Sequence, residues 1–166
     1  MNHFQRVSDS VIVVRDDLLL GGSKTRFLPH VMRGLRGVTY ASSSPGGAAV
    51  ALAAVGRDLG VEATICYAKR KTPLPRQQHV AALGARIEWV PMGYMSHLVH
   101  RAKAIARERG VTYLPPGVDI PEAEGVFVAN LREVWDDLQR FIFTPDEVWC
   151  ARSSSMLARC IAQAMP

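Results

Sequence analysis

The stretch GVTYASSSPGGAAVALAAVGRDLGVEATICYA, residues 37–68, decides the fold. It opens with a short apolar run, Gly37 to Ala41, followed by three serines, a proline and two glycines. An alanine-rich segment, Gly46 to Leu59, comes next and is stopped by Gly60, after which Ala63 to Tyr67 is apolar again. Short apolar runs bounded by turn residues predict strands, and the longer alanine-rich segment between them predicts a helix. Two strands joined through a helix run parallel with a right-handed crossover. The small alanine side chains allow that helix to lie close to the sheet.

The same alternation extends outward in both directions. Upstream, Val11 to Arg15 reads as a strand and Lys24 to Arg36 as a helix, with Pro29 a local irregularity and Gly34 and Gly37 near its end. Downstream, KRKTPLP is a loop, Arg76 to Leu83 a helix ended by Gly84, and Arg86 to Val90 a strand closed by Pro91. Tyr94 to Arg109 is an amphipathic helix with Gly110 suited to its C′ position, and Val111 to Leu114 is a strand. PPGVDIPEAEG, residues 115–125, reads as a turn-rich connection and the crossing point between subdomains. Phe127 to Arg140 is a helix, Glu147 to Ala151 a strand and Ser154 to Ala164 a last helix. The expected class is α/β, with an open, mostly parallel sheet flanked by helices.

Composition narrows the function. With 166 residues, 48% hydrophobic and 21% charged, the chain is neither disordered nor collagen-like. No apolar run approaches the ~20 residues that span a bilayer, and the amino terminus lacks a secretory apolar region, so a cytoplasmic protein without membrane contact is expected. Its three cysteines, Cys66, Cys150 and Cys160, are widely spaced, which fits neither a disulfide framework nor a zinc site. Cys66 and Cys150 lie in apolar runs and read as small buried hydrophobes. The formal net charge of +5 is spread along the chain. Its one cluster, Lys69, Arg70, Lys71 and Arg76, is interleaved with prolines. This reads as a solvated basic surface rather than a nucleic-acid interface, and it also suits an anionic small molecule. His97 and His100 have no partner at ligand spacing and read as helix surface, and Asp16 and Asp17 as capping or ion-pairing groups for Arg26. Tyr94, after a Pro-Met-Gly turn, reads as an ordinary half-exposed tyrosine.

Three corners can carry chemistry. In the first, Gly21 and Gly22 precede Ser23, Lys24, Thr25 and Arg26. Glycines let the backbone approach a ligand, and a lysine there can act as base or nucleophile once its pKa is lowered; a basic helix start that only meets solvent has the same pattern. The second, Ser42-Ser-Ser-Pro-Gly-Gly47, places hydroxyls and free N–H groups at a helix start, which makes an anion pocket or an ordinary N-cap. The third, Arg152-Ser-Ser-Ser155, again combines hydroxyls with a helix start and adds a cation. Neither a Walker A nor a GxGxxG pattern occurs at these corners.

RDDLLLGGSKTRFLP, from Arg15 to Pro29, resembles the REDL…GGNKTRKLE segment of the fold-type-II pyridoxal-phosphate enzymes, whose nearest group is the 1-aminocyclopropane-1-carboxylate deaminases and D-cysteine desulfhydrases. EVWCARSSSMLARCIAQAMP, from Glu147 to Pro166, is similar to that family's strand–GSG–helix segment. The resemblance implies a tryptophan-synthase-beta-like fold, truncated so that it lacks the C-terminal part. Residues 1–37 and 116–166 would be a partial large domain and residues 38–115 a small α/β domain. It implies a pyridoxal-phosphate-dependent lyase or deaminase acting on a small amino acid, with Lys24 forming the Schiff base. Ser43 and Ser44 would hold the ring hydroxyl and the substrate carboxylate, and Ser153, Ser154 and Ser155 the phosphate. A homo-oligomer or a complementing chain is the implied assembly. The chain departs from the family in having Ser23 before the lysine, Ser44-Pro45 for the Ser-Asn pair, and serines for the glycines of GSG. These departures motivate the alternative of a catalytically silent relative kept as a binding or assembly module.

Overall fold

The computed structural model describes residues 2–43, 46–91, 93–141, 145–151 and 155–165, with the Phe141 side chain left aside. The 37–68 stretch folds as β3 (Gly37–Ala41), α2 (Ala48–Leu59) and β4 (Glu62–Ala68). Gly60 ends α2 in the left-handed conformation with φ 68°, the geometry that an αL helix cap requires and glycine adopts without penalty. α3 (Pro75–Ala82), β5 (Arg86–Val90), α4 (Met95–Arg109) and β6 (Thr112–Leu114) follow, and Gly110 caps α4 at φ 62°. The sheet order is β5-β4-β3-β6 with every pairing parallel, and Tyr40 stands opposite Ile65.

Strand alternation divides the core between the two faces of this sheet. Val38, Tyr40, Ile65 and Tyr67 pack toward α2, α3 and the terminal helices, while Ala41 and Cys66 pack with Leu98, Ala102 and Ile105 of α4. Buried Thr39 on the α4 face donates its hydroxyl to the Ala102 carbonyl at 2.9 Å, so the polar group is not left unpaired. The alanines of α2 matter for distance. A Cβ at Gly56 would lie 2.6 Å from the Val61 carbonyl oxygen, so this helix sits too close to the turn into β4 for a larger residue.

Outside that sheet, β1 (Phe4–Arg6) and β2 (Ile12–Val14) form an antiparallel pair. A helix across 24–36 is replaced by a 3-10 turn, Gly22–Arg26, and a short α1, Leu28–Met32. Pro29 falls in the first turn of α1, where its missing N–H costs nothing; in a helix begun at Lys24 it would have broken the ladder. The connection at 115–125 is shorter than expected, because α5 starts at Pro121 and runs to Phe141 through Gly125. Glu147 to Ala151 is not a strand. Trp149 is 87% exposed there, and Cys150, expected to be buried, is exposed as well. Cys66 and Cys160 are buried, and burial pushes the Cys66 thiol up to about 12. α6 (Met156–Ala164) packs on α5 through Met156, Cys160 and Ala164. No helix among the described residues is long and apolar enough to cross a membrane, and no described group of His, Cys, Asp or Glu is arranged to hold a metal ion.

Candidate functional site

The lysine corner is built by local pins. Gly21 has φ 103° and Gly22 φ 74°, conformations that turn the chain sharply before Lys24. Thr25 Oγ1 lies 2.9 Å from the Gly22 carbonyl oxygen and 3.0 Å from that of Leu20, closing the turn on itself. Arg26 is held by Asp16, with Nε 3.0 and 3.1 Å from the two carboxylate oxygens, and by the Asn2 side chain at 2.7 Å. The ion pair of Arg26 with Asp16 is the one read from the sequence; Asp17 pairs instead with Arg15. Phe27, fully buried, ends the turn against the ring of Phe127 on α5 at a centroid distance of 5.0 Å.

This turn rests on the start of α2. A Cβ added to Gly21 would lie 2.4 Å from Ala51 Cα, and the Gly21 carbonyl oxygen would be 3.7 Å from a Cβ at Gly47. The structure thus brings the first two corners together at the carboxyl edge of the parallel sheet, where ligands of such sheets bind. Lys24 itself is half-buried, and among the described residues its ammonium makes no hydrogen bond or ion pair. Burial pulls its pKa below the ordinary lysine value, and the carboxylate of Asp119 opposes that shift.

Ser43 is exposed at the mouth of the second corner, and its carbonyl accepts the Gly46 N–H at 3.0 Å. Ser42, given no role from the sequence, is 2% exposed, donates its hydroxyl to the Ser43 carbonyl at 2.9 Å and its N–H to the Cys66 carbonyl at 3.1 Å. The Tyr67 hydroxyl is fully buried without a hydrogen-bond partner among the described residues. Burial raises its pKa, and the nearby Ser42 hydroxyl pulls the other way without reaching hydrogen-bonding geometry. An unpaired buried hydroxyl costs about 1–3 kcal/mol, so Tyr67→Phe is expected to leave the protein as stable or about 1 kcal/mol more stable in urea unfolding. A clear loss of stability would show that this hydroxyl does have a partner.

Ser155 is half-buried at the N-cap of α6 with φ 66°, an unusual conformation for a residue with a side chain. Ser44, Ser153 and Ser154 lie outside the described residues. α6, which Ser155 opens, is tied to the start of α5, where Arg159 reaches Asp119 at 2.7 Å and Glu124 at 3.0 Å. Neither Asp119 nor Arg159 stood out in the sequence. The only local signal was the Pro-Pro-Gly-Val-Asp run, which reads as an ordinary turn. His97 and His100 are exposed on α4, as read from the sequence.

Solved structures with this architecture are numerous. An ACC deaminase homologue superposes with a TM-score of 0.77 at 19% identity over 92% of this chain and 50% of its own. A threonine deaminase from T.th. gives 0.74 at 20% identity over 90% and 48%. Maize serine racemase gives 0.71 at 18% over 93% and 46%. The chain therefore spans about half the length of these proteins. No curated protein sequence matches it. Identities this low establish only the fold, but the family described as pyridoxal-phosphate dependent enzyme matches residues 5–165. On that match, which takes in nearly every described element, the chain belongs to the pyridoxal-phosphate dependent enzymes.

Proposed function

We propose that this chain carries the lysine-bearing half of a pyridoxal-phosphate-dependent lyase or deaminase that acts on a small amino acid through Lys24. The observation that carries this is the state of one lysine: half-buried, without an ionic partner among the described residues, and carried on a turn whose Gly21 rests against the start of α2. A lysine of ordinary pKa is almost wholly protonated at neutral pH and cannot attack a carbonyl, whereas burial raises the neutral fraction. The residues present therefore fit an aldehyde cofactor at this end. Pyridoxal phosphate, when bound, supplies an electron sink for the bonds at the amino-acid α-carbon.

The protein's own groups do the rest. Lys24 contributes the condensing amine and, once released, a base beside the α-carbon. The α2 N-terminus offers partial positive charge and N–H groups to an anion, and Ser43 and Ser44 are assigned to the cofactor ring hydroxyl and the substrate carboxylate. Ser153, Ser154 and Ser155 at the start of α6 are assigned to the phosphate. In domain terms, residues 38–115 are assigned to a small α/β domain and residues 1–37 and 116–166 to part of a larger one. The four-stranded sheet lying wholly within 37–114 supports this division. The other half of the fold is to come from further sequence, from a second copy or from a complementing chain.

The test is direct. The purified protein is mixed with pyridoxal phosphate, reduced with borohydride, digested and weighed. The expected product is a single modified peptide containing Lys24. A folded protein that gains no label, or gains it equally on Lys69, Lys71 and Lys103, would leave the catalytically silent module as the better account.

A further inference from the structure

α4 treats its basic side chains in two ways. Arg101 is bound to Glu88 of β5 at 2.8 Å and to Glu108 at 3.3 Å, and Arg109 to Glu62 of β4 at 2.6 Å. His100, Lys103 and Arg107 are exposed and make no ion pair among the described residues. Steps of three and four residues set these last side chains in one stripe along the helix. No acidic residue occurs from Trp89 to Ala106 or from Arg109 to Val118, and Glu108 is taken by Arg101. Like charges at this spacing repel, so the stripe works against the helix that carries it.

The stripe borders a concavity. His100, Lys103, Ala106 and Arg107 of α4 and Tyr113 of β6 line a groove of about 360 Å³, a volume within the range of small-molecule sites. β6 is the last strand in the sheet order, so no described strand pairs beyond Tyr113. The Tyr113 ring is half-buried against the α4 side of the core, and Lys103 Nζ lies 5.4 Å from its centroid. That cation–π contact keeps the ammonium at the groove, with no carboxylate to neutralise it.

We propose that this groove between α4 and β6 binds a small phosphate monoester that carries a flat ring. It lies on the sheet face opposite α2 and the lysine turn, and it stands independently of the reading of Lys24. The charge count selects the anion. A carboxylate is satisfied by one guanidinium in a two-bond fork, which would leave Lys103 uncompensated. A phosphate monoester near neutral pH carries a charge of roughly −1.5 to −2 and three acceptor oxygens. Arg107 can take two of those oxygens, Lys103 adds a point charge, and the His100 imidazole adds a donor. Tyr113 and Ala106 supply the apolar surface on which a ring stacks. The stripe from His100 to Arg107 covers only about 10 Å of helix, the reach of one small molecule rather than of a polyanionic strand.

The experiment uses the full chain and probes it with phenyl phosphate, inorganic phosphate and benzoate. Its lysines are only Lys24, Lys69, Lys71 and Lys103, so reductive methylation with 13C-formaldehyde gives four lysine side-chain resonances that Lys→Arg variants assign. Phenyl phosphate is expected to shift the Lys103 resonance saturably while Lys69 and Lys71, in the exposed basic loop, barely respond. Its dissociation constant should be about fivefold below that of inorganic phosphate, the worth of one aromatic contact. Benzoate, with the ring but a smaller charge, should bind more weakly than phenyl phosphate. Tyr113→Leu is expected to make phenyl phosphate and inorganic phosphate bind alike, and Tyr113→Phe to keep the difference. Arg107→Gln should weaken both phosphates by about tenfold, through loss of the charge-assisted fork. Arg107 is exposed, so this variant carries the test even if Tyr113→Leu loosens β6. Parallel movement of Lys69, Lys71 and Lys103 would show diffuse attraction of anions to a basic surface and overturn the proposal. So would a Lys103 shift that ignores Arg107→Gln, or benzoate binding as tightly as phenyl phosphate.

Discussion

Lys24→Ala is expected to abolish covalent uptake of pyridoxal phosphate and, where the assembled protein turns over an amino acid, to lower its rate by at least about a thousandfold. The magnitude is that of removing an enzyme's nucleophile, which eliminates the covalent route rather than weakening it. Lys24→Arg should fail as completely, since a guanidinium keeps the charge but stays protonated. The variant should nonetheless fold. Lys24 has no hydrogen bond or ion pair to lose among the described residues, and its burial makes the ammonium a liability. The sign can be checked by pH. With a folded pKa below the unfolded value near 10.5, the unfolded chain holds more protons in the interval between the two. The native protein should therefore gain stability relative to Lys24→Met as pH rises through that interval, seen as a rising difference in urea midpoint. Loss of labelling together with loss of fold would attribute the effect to structure. Labelling that survives in Lys24→Ala would place the reactive amine elsewhere.

What the sequence could reveal about this site depended on how local each cause is. The unit from β3 to β4 was legible because apolar runs, a glycine stop and an alanine-rich helix are all encoded within 32 consecutive residues. The sharp turn before Lys24 was legible through its glycines, although the helix expected to begin there is a 3-10 turn. Pro29 contained the warning, since a proline is at ease only in a first helical turn. The same rule was available at Pro121, which opens α5, where the density of prolines and glycine pointed to a longer connection. Glu147 to Ala151 has the residues of a strand, but a strand exists only when a neighbouring ladder accepts it, and none of the described strands does. Asp119 and Arg159 were the least legible, being 40 residues apart and meeting only once α6 has packed back on α5. The serines of the second corner divide likewise: the pattern marks a hydroxyl-rich turn but does not show that Ser42, rather than Ser43, is the buried one.

Gly21→Ala is expected to be the most damaging single-methyl change in the lysine corner, destabilising the protein by about 3 kcal/mol or more and removing Lys24 labelling with it. Two causes add. The backbone at φ 103° is one that side chains rarely adopt, a penalty of roughly 1–2 kcal/mol. The new methyl would also lie 2.4 Å from Ala51 Cα and 2.5 Å from both its N and Cβ, so the obstacle is helix backbone that cannot rotate away. Relief requires the lysine turn to lift off α2, the contact that brings the first two corners together. Gly22→Ala isolates the first cause: φ is 74° there, yet a methyl meets nothing within 4 Å. It should lose only about 1–2 kcal/mol and keep its labelling. Ala51→Gly should rescue Gly21→Ala very little, because deleting the Ala51 methyl leaves the two backbone atoms in place. Equal effects at the two glycines in denaturant unfolding, or full rescue by Ala51→Gly, would mean that the turn does not press on α2. The glycine pair would then serve only to bend the chain, and the approach of the lysine turn to the second corner would need another cause.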